Sequence, residues 1–154
     1  MNSDLRTRLI AAGIAAAVPL VAAFEGLRQT AYLDPVGIPT ACFGSTKGVR
    51  LGQVYTREQC DDLLAKDLLE ANAGVDSCVR VPLTEGQRTA FVSFAYNVGR
   101  GKFCGSTLVR KLNAGDYAGA CNELTRWVYA KGIKLPGLVK RREKERATCL
   151  GGAV

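Results

Sequence analysis

Only one stretch of this 154-residue chain, residues 32–55, is rich in Gly, Pro, Thr and β-branched residues. Such a composition predicts a small β-hairpin or a three-stranded sheet. Elsewhere apolar residues recur at helical spacing. The pattern therefore predicts a mostly α, α+β fold with a small β lobe and a larger helical lobe. A chain of this length is most simply one domain with one substantial core.

Capping patterns predict where several helices begin. Two Thr-x-x-Gln sequences, at Thr56 and Thr84, have the spacing of a capping box. The helix that starts at Thr56 is expected to run to about residue 73, and the one after Thr84 to form the apolar centre of the larger lobe. Two shorter helices are expected to begin after Ser106 and Asp116.

Charged residues on these helices are expected to face solvent. On the helix after Thr56 the charged face comprises Asp61, Asp62, Lys66 and Asp67. The last helix, expected over residues 136–149, carries Arg142 three residues before Glu145 and a basic face of Lys140, Arg141 and Lys144. Ion pairs on such a surface usually contribute little to stability. Residues 131–136 are expected to form a basic loop, and Gly151-Gly152 a disordered tail.

Two carboxylates stand where the first helical run meets the β-rich stretch. Glu25 follows apolar residues 20–24, Asp34 follows nine residues later beside a Pro/Gly turn, and Thr40 comes six residues after that. Hydrolysis of a glycosidic bond uses one protonated carboxylic acid and one ionised carboxylate. Apolar surroundings are expected to keep Glu25 protonated, and the wetter turn to keep Asp34 ionised. The alternative is a solvated helix end followed by an ordinary Asp-Pro turn.

These three residues and a series of later blocks resemble the phage-type lysozymes, the muramidase endolysins with which phages break host peptidoglycan. The later blocks occur in the family's order and extend to about residue 149. They are Leu83-Thr84 with Gln87, Ser93-Phe94 with Asn97 and Gly99, Ser106-Thr107-Leu108, Leu112-Asn113 with Gly115-Asp116, Trp127, and Gly137-Leu138 with Arg141-Arg142 and Glu145. Some family members carry His where this chain has Ser45, which leaves the hydrogen bonding around Asp34 open.

The resemblance implies a lysozyme-like fold of two lobes that hydrolyses the β-1,4 bond between N-acetylmuramic acid and N-acetylglucosamine. Glu25 would be the general acid. Asp34, together with Thr40, would handle the attacking water, with inversion at the sugar carbon. The competing class is a non-catalytic peptidoglycan-binding module that kept the fold, although such a module has no need of all three residues.

Three further residues are expected in the sugar cleft. Gly44 would let a sugar ring approach the backbone. By resemblance, Tyr96 and Asn97 also line the cleft, because an aromatic ring can stack on a pyranose and an amide can bind its acetamido group. The alternatives are that Gly44 only makes a turn, that Tyr96 belongs to the core, and that Asn97 is a helix C-cap before Gly99. Trp127 is expected in the core.

The chain has six cysteines and no histidine. Without His there is no Ser-His-Asp triad, no Cys-His nucleophile and no His-ligated zinc, so a carboxylate glycosidase is the lysin chemistry that remains. No metal or cofactor is implied. Evenly spaced cysteines without a C-x-x-C pair fit three disulfides in an oxidising compartment, or six buried thiols in a cytosolic protein. The resemblance implies two pairs and leaves a third: Cys42 with Cys60, Cys121 with Cys149, and Cys78 with Cys104.

The N-terminal segment has the composition of an export signal. Arg6 and Arg8 precede an Ala-rich apolar run that Gly13 and Pro19 interrupt. The run is short and weakly hydrophobic for a membrane span. Some endolysins of the family that this chain resembles carry a weakly hydrophobic, uncleaved signal-arrest-release segment, and by that resemblance we interpret residues 1–18 as such a helix and residues 19–150 as the catalytic domain. The alternatives are a cleaved signal and a first helix that packs on the domain, with Pro19 in the first turn of a second helix.

The formal charge of +7 suits an anionic polymer or surface, which the bacterial wall offers. The basic residues are spread along the chain without a nucleic-acid-reading motif, so nucleic acid is not expected as a partner. Peptidoglycan is the expected partner. The expected molecule is a monomer in the host periplasm, with transient contact to the inner membrane.

Overall fold

The computed structural model describes residues 1–151. Gly151 lies in a turn, and Gly152 of the predicted tail lies outside the described residues. The helices are α1 Ser3–Ala11, α2 Ala17–Glu25, α3 Arg57–Cys78, α4 Glu85–Val98, α5 Arg100–Cys104, α6 Thr107–Asn113, α7 Tyr117–Glu123 and α8 Pro136–Cys149, with a 3-10 turn at Leu124–Arg126. The strands are β1 Arg28–Leu33, β2 Pro39–Cys42, β3 Tyr129–Ala130 and β4 Ile133–Lys134. The expected mostly α, α+β fold is confirmed.

The β lobe is an antiparallel hairpin of β1 and β2. Tyr32 pairs with Thr40, and the register shifts between Arg28 and Tyr32. Asp34 makes the connecting turn, because its Oδ1 accepts hydrogen bonds from the backbone N–H groups of Val36 and Ile38 at 2.9 and 2.8 Å. The alternative prediction was a three-stranded sheet. In place of its third strand, residues 30 and 54 form an isolated β-bridge.

Both Thr-x-x-Gln capping boxes form as predicted, at the starts of α3 and α4. Ser106 and Asp116 cap α6 and α7 through their side-chain oxygens. Helix α3 continues to Cys78, five residues past its predicted end. The expected basic loop at 131–136 is wrong in part, because β3 and β4 pair across a turn in which Lys131 and Gly132 have φ of 51° and 77°.

Helix α4 forms the centre of the helical lobe, and its residues 89–95 are all buried. The Phe94 ring meets the rings of Phe103 and Trp127 edge-on, with centroids 6.1 and 5.2 Å away. Trp127 is therefore partly buried and packs against the core, in agreement with its expected place. Helix α8 packs closely on α4, and a Cβ added to Gly86 would lie 2.6 Å from the carbonyl oxygen of Thr148. Only Gly permits this approach.

The N-terminal segment folds as two short helices that pack on the domain. Its buried apolar side chains join the main core: Leu5, Leu9, Ile14, Ala17 and Val21. Pro19 lies in the first turn of α2, as predicted. Within residues 1–151, no helix is both long and apolar enough to cross a membrane.

Three disulfides tie the elements together, two in the pairs that the resemblance implied and one in the pair that it left over. Cys42–Cys60 joins β2 to α3, Cys78–Cys104 joins α3 to α5, and Cys121–Cys149 joins α7 to the end of α8.

Candidate active site

Glu25 is the last residue of α2, and its side chain is 23% exposed. The helix stops there because Gly26 adopts φ of +70°, a conformation that Gly tolerates best. Glu25 Oε1 accepts a hydrogen bond from Arg141 Nη1 at 2.6 Å. The other oxygen, Oε2, lies toward Gly44, where an added Cβ would be 3.5 Å away. One carboxylate oxygen is therefore held by an ion pair, and the other faces the cleft.

A cluster of charged side chains lies beneath Glu25, inside the protein. The prediction that Arg141, Arg142 and Glu145 form a solvated face of the last helix is wrong, because they are 4%, 1% and 0% exposed. Glu145 accepts hydrogen bonds from both arginines and from the Ser93 hydroxyl. A buried charge is tolerated only when it is paired. Among residues 1–151 no buried side-chain nitrogen or oxygen lacks a partner.

The cleft between the lobes has a volume of about 440 Å³ and is lined in part by Glu25, Gly44, Tyr96 and Asn97. The Tyr96 hydroxyl donates a hydrogen bond to the Phe43 carbonyl at 2.7 Å, which links the two lobes across the cleft floor. Burial raises the pKa of Tyr96 above its usual range, and the negative charges of Asp67 and Glu25 add to the shift. Tyr96 therefore stays a neutral donor at neutral pH.

Gly44 brings backbone close to the carboxylate. Its φ is +90°, and an added Cβ would lie 3.5 Å from Glu25 Oε2 and 3.7 Å from the Tyr96 hydroxyl. A side chain here would fill the space between the two polar groups. The structure thus brings Glu25, Gly44 and Tyr96 to one point of the cleft.

Asn97 is exposed in the last turn of α4, and the helix cap is Gly99, so the C-cap alternative for Asn97 is wrong. Its Oδ1 accepts a hydrogen bond from Arg142 Nη2. A second groove, of about 550 Å³, runs past residues 135–138 and shares Glu25 and Asn97 with the cleft. Glu25 therefore lies where the two depressions meet.

Asp34 and Thr40 lie at the end of the β hairpin, outside the lining of the 440 Å³ cleft. Two backbone N–H groups hold Asp34 Oδ1. Thr40 is 5% exposed and donates its hydroxyl proton to the Ile38 carbonyl at 2.9 Å. Asp34 accepts and Thr40 donates a hydrogen bond with the backbone of the turn, and their joint handling of the attacking water stays a prediction.

The comparison with protein families decides which class this site belongs to. The family model described as phage lysozyme matches residues 22–145. The chain belongs to the phage lysozyme family. It is a glycoside hydrolase that acts on peptidoglycan, and nothing in the comparisons favours the alternative of a non-catalytic module.

Relatives of this phage lysozyme include a SAR-endolysin of Bacteriophage PS119, 46% identical over 129 residues that cover 83% of this chain and 77% of the relative. The muramidase domain of SpmX from Asticaccaulis excentricus has a TM-score of 0.83 at 36% identity, covering 88% of this chain and 95% of that one. The active form of the P1 phage endolysin Lyz has a TM-score of 0.82 at 28% identity, covering 99% and 94%. Its secreted inactive form reaches 0.61 at 26% identity, covering 90% and 96%.

Ser45 of this phage lysozyme occupies the position at which some members carry His. Its hydroxyl donates to Asp67 Oδ2 at 2.6 Å. Asp67 lines the cleft, so its predicted place on a solvated face is wrong. Burial raises the pKa of Asp67, and the Ser45 hydrogen bond opposes the shift. Sequence reasoning missed Asp67 because its partner lies 22 residues away, and the helical spacing alone gave no sign of the contact.

Among the residues that the structure describes, no group of three or more His, Cys, Asp or Glu side chains could hold a metal ion. The polar groups of the site include three carboxylates with fixed partners, which are Glu25, Asp34 and Asp67, together with a phenol, an amide and hydroxyls. Such a set can transfer protons and bind a sugar.

Proposed function

We propose that this phage lysozyme hydrolyses the β-1,4 bond between N-acetylmuramic acid and N-acetylglucosamine, with Glu25 as the general acid. The observation that carries the proposal is that Glu25 lies where two grooves meet. A polymer bound along both grooves would therefore lie next to the carboxyl group of Glu25. Arg141 occupies Oε1, so the proton for the leaving glycosidic oxygen would be carried on Oε2, which faces the cleft.

Asp34 is proposed as the base for the attacking water. The two backbone N–H groups on Oδ1 hold the carboxylate in place and leave Oδ2 for the water. The Thr40 hydroxyl donates to a carbonyl, so its oxygen can accept the water's second hydrogen. The water oxygen then forms a bond to the anomeric carbon as the glycosidic bond breaks. Asp34 takes the proton from water while Glu25 gives its own to the leaving oxygen, and the configuration inverts.

The test compares the wild type with Glu25→Gln, using the clearing of outer-membrane-permeabilised Gram-negative cells and the analysis of the released sugars. Glu143→Gln is the matched control, because Glu143 is an exposed carboxylate on the same helix as Arg141. With all three proteins shown to be folded by circular dichroism, the wild type and the control should clear the suspension and Glu25→Gln should not. If Glu25→Gln kept its activity, Glu25 would not be the general acid.

We further propose that the protein acts in the host periplasm after export, causes host lysis, and first contacts the inner membrane through residues 1–18. Support comes from the relative named as a SAR-endolysin and from the higher similarity to the active than to the secreted inactive form of P1 Lyz. In this proposal the packed α1 and α2 represent the released state, and residues 19–150 carry the chemistry.

Exposed alanines in the N-terminal segment allow a direct test of the tether. Ala11, Ala15 and Ala16 are exposed in the folded protein, so changing them to Leu raises the apolarity of the segment without altering its packed face. The triple variant should stay longer in the membrane fraction of expressing cells than the wild type. Ala118→Leu, at an exposed position on α7, is the control. Equal distribution of all three proteins would contradict the tether.

A further inference from the structure

Glu145 is the one carboxylate of the buried cluster that touches both arginines. Its Oε1 accepts from Arg141 Nε at 3.2 Å and from the Ser93 hydroxyl at 2.7 Å, and its Oε2 accepts from Arg142 Nη1 at 2.9 Å. The side chain is 0% exposed. A carboxylate without access to water keeps a fixed orientation when donors occupy both of its oxygens.

Each arginine leads on to one residue of the proposed site. Arg141 uses Nε for Glu145 and Nη1 for Glu25, so one planar guanidinium connects the buried carboxylate to the proposed acid. Arg142 uses Nη1 for Glu145 and Nη2 for Asn97, which lines the cleft. Further bonds to the carbonyls of residues 93 and 127 leave neither guanidinium free to turn.

We propose that Glu145 is a positioning residue that orients Glu25 through Arg141 and Asn97 through Arg142. The inference rests on the proposed role of Glu25. It assigns to Glu145 no contact with substrate. The physical basis is that the planar fork of Arg holds two carboxylates in one fixed geometry, which a single point charge does not.

Loss of the Glu145 charge should alter the site in a defined direction. Two positive guanidinium groups would then face Glu25 without their buried counter-charge, so the electrostatic potential at its carboxyl group would become more positive. Other charged or titratable groups line the two grooves beside Glu25: Lys47, Asp67, Glu70, Tyr96, Arg100 and Lys140. A change at Glu145 removes none of them, and Lys47 with Glu70 forms its own ion pair. A general acid must be protonated, so activity should be lost at lower pH than in the wild type.

The experiment measures reducing ends released from purified Gram-negative peptidoglycan by the oxidised full chain, across pH and substrate concentration. Glu145→Gln should lower kcat about tenfold and move the alkaline limb of the pH–rate profile down by about one unit. Glu123→Gln is the matched control, since Glu123 is also buried and paired, with Lys111 and Arg126. The control should lower the melting temperature and leave the limb where it is. An unshifted limb and an unchanged kcat in folded Glu145→Gln would overturn the proposal.

The arm through Arg142 is tested by a double-mutant cycle. Asn97→Ala and Glu145→Gln should each raise KM, and together they should raise it by less than the product of the two effects, because both act through Arg142. Fully multiplicative effects would refute this arm.

If Glu145→Gln does not fold, Ser93→Ala replaces it, since that change removes one donor to Oε1 and no charge. Ser93→Ala should lower kcat about threefold, and an unchanged kcat would refute the proposal. Failure of the function itself looks different, because Glu25→Gln would then remain active whatever Glu145 does.

Discussion

Removal of the disulfides one at a time should separate stability from activity. The bonds close loops with sequence separations of 18, 26 and 28 residues. Loop-closure entropy then gives stabilisations of about 3.2, 3.5 and 3.6 kcal/mol for Cys42–Cys60, Cys78–Cys104 and Cys121–Cys149. The three double Cys→Ala variants should therefore lose nearly equal free energies of unfolding, and melting temperatures should fall by about 7–14 °C.

The three variants should, however, differ in activity. Cys42 has φ of 63° and is followed by Phe43, whose carbonyl accepts the Tyr96 hydrogen bond, and by Gly44 in the cleft. Without the bond to Cys60, the strained Cys42 can relax, and the backbone that faces Glu25 moves with it. We expect the Cys42/Cys60 variant to lose activity several-fold below its melting temperature, and the other two variants to keep most of theirs.

Denaturant unfolding at pH 7 with guanidinium chloride gives the three free energies, and initial rates at a temperature where every variant is folded give the activities. The entropy argument fails if the three variants differ in stability by more than about 1.5 kcal/mol. The argument on the cleft fails if all three lose activity equally. A fully reduced wild type that is as stable and as active as the oxidised protein would contradict both arguments.

Two single substitutions test the cleft further. Because burial raises the pKa of Asp67, the folded protein holds this proton more tightly than the unfolded chain does. The resulting stabilisation is complete at low pH and is lost as pH rises through the raised pKa. Asp67→Asn should therefore raise the melting temperature by a few degrees at pH 7 and by little at pH 3, and the opposite pattern in thermal scans would contradict the argument. Gly44→Ala and Gly115→Ala both force a side chain onto positive φ, at a cost of about 1 kcal/mol. Only at Gly44 does the added methyl group lie in the cleft, in contact with Glu25 and the Tyr96 hydroxyl, so only that variant should lose most of its lytic rate at equal stability.

The helix starts were predictable because their causes are local. A Thr side chain and a Gln three residues later satisfy each other's backbone within one turn, and this holds whatever surrounds them. The end of α3 was predicted less well. Its apolar pattern fades near residue 73, but Cys78 is bonded to Cys104, and Val75 is buried in the core. Tertiary contacts extend this helix beyond its sequence signal.

The proposed site was predictable only in part. Glu25, Asp34 and Thr40 are close together in the sequence and match one motif of the phage-type lysozymes, so the sequence could predict them as one group. The burial of Arg141 and Glu145 was not found, because their partners Glu25 and Ser93 lie 116 and 52 residues away in the sequence. Charged residues on a helix face solvent by default, and only long-range pairing reverses that default.

The contact between Gly86 and Thr148 has a geometric consequence for the chemistry. It lies near one end of the antiparallel pair α4 and α8, whereas Asn97 and Arg141 lie toward the other end. Eleven helical residues separate Gly86 from Asn97, a distance of about 16 Å. A change in the spacing of the two helices at Gly86 would therefore change the angle between their axes, and the displacement would be largest at the other end. A methyl group added to Gly86 would change the angle between the helices, so Asn97 would lose its alignment with Arg141 and with the proposed acid Glu25 before the hydrophobic core came apart.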